Sequence, residues 1–233
     1  MQKLIVANWK ANKSQTQAQT WLKTISAEAK KIDLTKISPV LAPAFSLLTT
    51  VQSTITQLNW QLAIQDISAY PAGSYTGAVS AVNLWDLPIT YVIVGHSERR
   101  QYFKETAQDV ALKVDQAIEA KITPIICVSE QTLTEQANLL NSTTMQHCVI
   151  AYEPPEAIGS GHNVSLATVK DFQIQVKQLF GSIPFLSGGS VNEQNVGEYL
   201  LITDGALIGT ASLKAEQFIK LLQTAQGDQP AVA

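Results

Sequence analysis

Three short stretches each end an apolar run and open a loop: Asn8-Trp9-Lys10, His96-Ser97-Glu98-Arg99 and Tyr152-Glu153-Pro154-Pro155. They supply an ammonium, an imidazole and a carboxylate. Held together, such groups can polarise a carbonyl and move a proton from the carbon beside it. Glu153 is the candidate base. Pro154 and Pro155 stiffen the chain after it, and Glu156-Ala157-Ile158-Gly159-Ser160-Gly161 reads as a short lid with a rigid entrance and a flexible exit. A lid that excludes water raises a carboxylate's basicity and strengthens each electrostatic contact. His96 is followed by residues that start a helical turn, and a helix N-terminus disfavours a protonated imidazole. A neutral imidazole can donate a hydrogen bond to a substrate carbonyl. Lys10 suits an anion anchor or, if desolvated, a Schiff-base amine. Alone, each residue has an ordinary reading: a solvated lysine, a structural histidine, a paired carboxylate. The chemistry lies in the set.

A second feature points to an anion. Ser187-Gly188-Gly189-Ser190-Val191 and Gly209-Thr210-Ala211-Ser212 both follow apolar runs. Glycines let backbone N–H groups approach a phosphate closely, and a helix N-terminus adds a favourable dipole.

The elements that must position these residues are short and regular. Apolar runs at 3–8, 38–43, 61–66, 90–95, 122–128, 148–153, 184–187 and 205–209 read as strands. Several lack polar alternation, as strands covered on both faces do. Helical patterns lie between them, near 16–31, 45–57, 79–86, 105–120, 131–141, 165–180, 192–201 and 212–224. The clearest is 105–120, with Thr106 as cap and Val110, Leu112, Val114, Ala117 and Ile118 facing inward. Strict alternation implies parallel strands with right-handed crossovers. Eight such units in 233 residues fit a closed (β/α)₈ barrel better than an open sheet. No Pro/Ser/Gly-rich linker divides the chain, so residues 1–233 are expected to form one domain, with the tail from Gly227 to Ala233 frayed. In such barrels the chemistry sits at the C-terminal ends of the strands, and the loops after strands 7 and 8 commonly hold phosphate. Lys10, His96, Glu153 and both glycine-rich segments fall there.

Bulk properties exclude other classes. Net charge is −3 with no Lys/Arg-rich run, which argues against nucleic acid or an anionic membrane as partner. No apolar stretch approaches a membrane span and no signal peptide precedes the first strand, so a cytoplasmic location is expected. Cys127 and Cys148 lie in apolar runs and read as buried, reduced core residues. No Cys/His cluster suggests a metal.

The segments Asn8-Trp9-Lys10, Tyr91 to Arg100, Ala151-Tyr152-Glu153-Pro154 and Gly205-Ala206-Leu207-Ile208-Gly209 closely resemble the triosephosphate isomerases. The resemblance runs from about residue 3 to 222. It implies a homodimeric glycolytic isomerase, also used in gluconeogenesis, that interconverts dihydroxyacetone phosphate and D-glyceraldehyde 3-phosphate through an enediolate, with no metal or organic cofactor. Glu153 would shuttle the proton. His96 would be the neutral electrophile. Lys10 would stabilise the enediolate and phosphate charge, with Asn8 orienting the substrate and Glu98 holding Lys10. Backbone groups of Gly159, Ser190, Gly209 and Thr210 would bind the phosphate. Two competitors remain at this stage: another phosphate-binding barrel enzyme, such as an aldolase using Lys10 as a Schiff base, and a barrel with an added binding role.

The chain departs from the family pattern in places. Pro155-Glu156 replaces the usual Val-Trp, as in the family's short forms. Ser187 replaces a tyrosine whose hydrogen bond helps to hold the lid closed. Thr210 replaces a glycine. The stretch from Glu130 to Cys148 is short, so the fifth helix is expected to be clipped, which leaves a tetramer open as well as a dimer. Tyr75-Thr76-Gly77 is kept in the loop that normally inserts beside the partner's active site. Ala78 stands where an acidic residue usually pairs with an arginine across the dimer, so Arg99 is expected to lack that partner. The usual Gln-Asn pair reads Gln65-Asp66.

Overall fold

The computed structural model describes residues 2–154 and 163–227. Their eight strands are β1 (Lys3–Asn8), β2 (Ile37–Ala42), β3 (Gln61–Ile64), β4 (Ile89–Val94), β5 (Thr123–Val128), β6 (Val149–Tyr152), β7 (Phe185–Ser187) and β8 (Gly205–Ile208). Each is parallel to its sequence neighbours, and β1 pairs with β8 to close the barrel. The expected (β/α)₈ architecture is therefore present.

Strict alternation of side-chain direction explains why these strands read as apolar throughout. Leu4, Val6, Val40, Ile93, Cys127 and Leu186 pack with one another inside the barrel. Ile5, Ala7, Leu41, Ile64, Val94 and Phe185 join the layer between sheet and helices. Both cysteines are buried and free.

The helices are α1 (Gln15–Glu28), α2 (Leu48–Gln57), α3 (Ser97–Tyr102), α4 (Ala107–Glu119), α5 (Leu133–Asn138), α6 (Ser142–Met145), α7 (Leu166–Phe180), α8 (Val196–Leu200) and α9 (Ala215–Ala225). Local chemistry sets their starts. Ser14 caps α1 and exchanges hydrogen bonds with Gln17, and Thr106 does the same for α4 with Asp109. The pattern at 79–86 yields only a 3₁₀ turn, Ala81–Leu84. The stretch 131–141 gives the six-residue α5, and the separate α6 follows, capped by Asn141.

On α4 the inward face differs from expectation. Val110, Val114 and Ala117 are buried as expected, but Lys113 is buried too, while Leu112 and Ile118 are only half covered. Hydrophobicity cannot explain a buried lysine. Its ammonium is 2.6 Å from both Asp66 and Glu105, and paired carboxylates are what a buried cation needs. The expected lid, Pro155 to Gly161, and the tail beyond Gly227 lie outside the described residues. Among the described residues, no helix is long and apolar enough to cross a membrane.

Candidate active site

Each candidate side chain is set by what its strand does on ending. β1 ends at Asn8, whose Oδ1 accepts a hydrogen bond from the Lys10 N–H at 3.0 Å. The turn puts Lys10 at φ 53°, a conformation costly for a residue with a Cβ. Gln65 supports it from the loop after β3, since its Nε2 donates to the carbonyls of Lys10 (3.0 Å) and Ala42 (2.9 Å). The Lys10 ammonium reaches Glu98 Oε1 at 2.6 Å. The arm passes beside Gly209, where an added Cβ would lie 3.4 Å from Lys10 Cε.

β4 ends at Val94 and the chain turns at Gly95, φ 69°. Its N–H donates to Glu105 Oε1 at 3.0 Å, and its carbonyl accepts from Arg100 Nε at 2.8 Å. The positive φ favours glycine, and a Cβ here, 2.6 Å from Arg100 Nη2, would also have to displace that guanidinium. His96 then caps α3. Its Nδ1 accepts from the Glu98 N–H at 3.2 Å. An accepting nitrogen carries no proton, so the neutral ring's hydrogen is on Nε2.

That Nε2 lies 2.8 Å from Glu153 Oε1. The second carboxylate oxygen accepts from the Ser97 N–H at 2.9 Å. Glu153 is itself pinned, its own N–H donating to Val128 O at 2.9 Å. Between β6 and β7, Gly188 donates to Tyr152 O at 2.8 Å. A Cβ on Gly188 would be 2.6 Å from that oxygen, so the β7 loop can approach the Glu153 segment only as glycine. Tyr152 packs on Phe172, centroids 4.0 Å apart, and its hydroxyl bonds Glu130.

The electrostatics partly correct the sequence expectation. Burial pushes the Glu153 pKa up, but the His96 charge and the hydrogen bonds from His96 and Ser97 outweigh it, so the net direction is down. Glu153 is held as a carboxylate rather than as a carboxyl of raised basicity. For His96, burial lowers the pKa, the facing Glu153 raises it, and the net direction is up. The imidazole is therefore not kept neutral by the helix N-terminus alone, because that influence is weaker than a carboxylate 2.8 Å away.

Asn8, Lys10, His96, Glu153, Ser190, Gly209 and Thr210 share one cavity of about 350 Å³. Seven of the sequence-derived site residues thus meet there. Glu98 reaches it through Lys10. Gly159 lies outside the described residues. Gly189 and Ser190 adopt positive φ, 75° and 50°, which turns the β7 loop around the cavity. Sequence reasoning missed Asn192, Leu207 and Gln217 on the wall. Asn192 was legible as the residue after the glycine-rich segment. Gln217, on the first turn of α9 and bonded to Glu193 Oε2 at 2.9 Å, left no local signal. Gln65 and Glu105 were missed as supports. Among the described residues, no group of three or more His, Cys, Asp or Glu side chains is arranged to hold a metal ion.

Such a site can bind a small anion, polarise its carbonyl and shuttle a proton. Comparison with known proteins agrees. A family model described as triosephosphate isomerase matches residues 3–225. The triosephosphate isomerase of Mesomycoplasma hyorhinis is 37% identical over 238 residues, covering 94% of this chain and 97% of that protein. That of Colwellia psychrerythraea strain 34H is 37% identical over 256 residues, covering 97% and 98%. That of Dehalococcoides mccartyi strain BAV1 is 34% identical over 249 residues, covering 97% of each.

Proposed function

This chain belongs to the triosephosphate isomerase family, and from that premise we propose how its own residues interconvert dihydroxyacetone phosphate and D-glyceraldehyde 3-phosphate. The observation that carries the proposal is the contact of Glu153 with His96 Nε2 at 2.8 Å, in a cavity that Lys10 also lines. A three-carbon ligand entering that cavity would part the pair. Glu153 then faces carbon C1 of the ketone and His96 faces the oxygens at C1 and C2.

Glu153 takes the proton from C1 while His96 Nε2–H donates to the carbonyl oxygen at C2. The electron pair of the C–H bond becomes the C1–C2 double bond of the enediolate. His96 Nε2 gives its proton to the oxygen at C2 and takes the hydroxyl proton from the oxygen at C1, and Glu153 returns the carbon-bound proton to C2, which leaves a carbonyl at C1 and a hydroxyl at C2, the aldehyde product. A lowered pKa keeps Glu153 ionised before the substrate arrives. Once it leaves His96 and Ser97, the contacts that lowered its pKa are gone while burial still raises it, and its basicity rises. The same exchange resets His96. When Glu153 accepts the carbon-bound proton, the negative charge that raised the imidazole pKa is gone. Nδ1, accepting from the Glu98 N–H, stays unprotonated. A positioned base of this kind contributes roughly 10²–10⁴-fold.

Lys10 would attract the phosphate and the developing enediolate charge. Glu98 keeps its ammonium aimed, and Asn8 holds the turn. Backbone N–H groups of Ser190, Gly209 and Thr210 would hold the phosphate, and Gly159 would join them from the lid. A Schiff-base role for Lys10 is not favoured: its ammonium is ion-paired with Glu98, and the relatives above are named as isomerases.

We further propose a single-domain cytoplasmic enzyme that assembles as a homodimer, with no nucleic-acid or membrane partner. Tyr70 and Tyr75 stack at 4.8 Å on the exposed 70–78 stretch, and Trp85, Tyr102 and Phe103 are exposed as well. Exposed aromatics in such number suit an interface. Light scattering decides between dimer and tetramer. A coupled isomerase assay on the purified chain tests the activity: turnover of dihydroxyacetone phosphate that is abolished by Glu153→Gln supports the assignment, and an inactive wild-type protein refutes it.

A further inference from the structure

Two adjacent residues after β3, Gln65 and Asp66, do not line the catalytic cavity, yet between them they grip two of its walls. Gln65 holds the Lys10 carbonyl. Asp66 turns the other way. Its Oδ2 lies 2.8 Å from Arg99 Nη2 and its Oδ1 2.6 Å from Lys113 Nζ. Both cations also reach Glu105 Oε2, at 2.6 Å each. Two carboxylates and two cations therefore close a ring whose charges cancel. The side chains of Lys113 and Glu105 are 8% and 3% exposed, so neither charge has water to fall back on.

The ring touches the catalytic histidine's backbone on both sides. Glu105 Oε1, the oxygen not used by the cations, accepts from the Gly95 N–H just before His96. Arg99 sits in α3, the helix that His96 caps, and its N–H donates to the His96 carbonyl at 2.8 Å. Arg99, expected to lack the acidic partner across the dimer, finds two carboxylates in its own chain. Ala78, where the resemblance leads one to expect the missing acid, lines a cavity of about 540 Å³ together with Asp66, Arg99 and Lys113. Asp66 meets Arg99 and Lys113 within one subunit, whereas the family's acid at 78 would meet an arginine across the dimer.

We infer that Asp66 is a positioning residue for His96, completing inside one subunit the charge ring that fixes the Gly95–Arg99 segment. The inference rests on the isomerase reading above. Without the Asp66 charge, two cations compete for Glu105. That carboxylate must rotate toward them, and its hold on the Gly95 N–H weakens. The imidazole then loses its alignment while the phosphate-binding loops, on the opposite side of the barrel, do not change.

The test compares wild type, Asp66→Asn and the double variant Asp66→Asn/Ala78→Glu. Steady-state kinetics with dihydroxyacetone phosphate are read together with ¹⁵N shifts of the His96 ring in the ligand-free protein. The expected result for Asp66→Asn is a kcat at least about tenfold lower with KM within about threefold, the signature of lost alignment rather than lost binding. The His96 ring resonances move. The double variant regains most of the lost kcat because a carboxylate again faces Arg99. Unchanged kcat and ring shifts in Asp66→Asn, with only a lower melting temperature, would overturn the inference. So would a loss that Ala78→Glu does not relieve. Should Asp66→Asn not fold, Arg99→Gln replaces it: it removes the guanidinium from both Asp66 and Glu105, and kcat must fall in the same way. An inactive wild type would refute the isomerase reading, and the ring shifts alone would then still report whether Asp66 governs His96.

Discussion

Shortening the catalytic arm by one carbon gives the sharpest check on the site. In Glu153→Asp the backbone cannot follow the change. The residue's N–H is tied to Val128 O, the preceding carbonyl is tied to Gly188 N–H, and Pro154 fixes the chain after it. The carboxylate therefore retracts by about one C–C bond, roughly 1.5 Å. In the resting protein this breaks contacts of 2.8 Å to His96 and 2.9 Å to Ser97. In the reacting complex it draws the base back from C1, and a misplacement of about 1 Å costs on the order of 10²-fold in rate. The expected kcat is thus at least about a hundredfold lower, equivalent to about 2.7 kcal/mol of transition-state stabilisation. KM should stay within about threefold, because phosphate binding by Lys10 and the loops after β7 and β8 is untouched. Steady-state coupled assays in both directions supply the numbers, and a thermal melt confirms that the variant is folded. A folded variant with kcat within about threefold of wild type would refute Glu153 as the base.

Other substitutions probe the remaining parts. Lys10→Met removes the cavity's ammonium and frees Glu98; KM should rise, kcat should fall roughly 10²–10³-fold, and competitive inhibition by inorganic phosphate should weaken, all read in the same assay. The His96–Glu153 pair should mark the pH dependence of ligand-free stability. The His96 pKa is raised by Glu153 against burial, so the pair's contribution is full below the unfolded value of 6.5 and is lost as pH rises through the folded one. Melting curves of Glu153→Gln should lack that decline, and an unchanged decline would count against the pairing. On the acid side the lowered pKa of Glu105, set by Lys113 and Arg99 against burial, adds stability above 4.5 that is lost as pH falls through its folded value; Glu105→Gln should flatten that limb of the same curves. Ser187 Oγ is buried and has no hydrogen-bond partner among the described residues. Ser187→Ala should accordingly leave stability equal or raise it by up to about 1 kcal/mol, and a measured loss above that would indicate a partner for the hydroxyl.

The strands, their parallel order and the barrel's closure were legible because each apolar run is bounded and each crossover is long enough for a helix. Lys10, His96 and Glu153 were legible because their strand ends all face one mouth. Helix detail was less so. The 79–86 pattern has the right residues but forms one 3₁₀ turn, since a hydrophobic period does not set length when the chain must turn at once into β4. Lys113 was missed as an inward residue for a related reason: a period of 3.6 assigns faces by hydropathy, and a lysine neutralised by two carboxylates behaves as a core residue.

The amino-acid order alone settled which groups are present, which loop each belongs to, and the side of the sheet from which they act. Only the folded chain settled what faces what. Asp66 meets Arg99 across 33 positions and Gln65 meets Lys10 across 55. Glu153 meets His96 across 57, close enough that each sets the other's charge. Such pairings leave no trace in local pattern, because proton affinity depends on the distance between charges and on how little water separates them, and both quantities exist only after the barrel has closed.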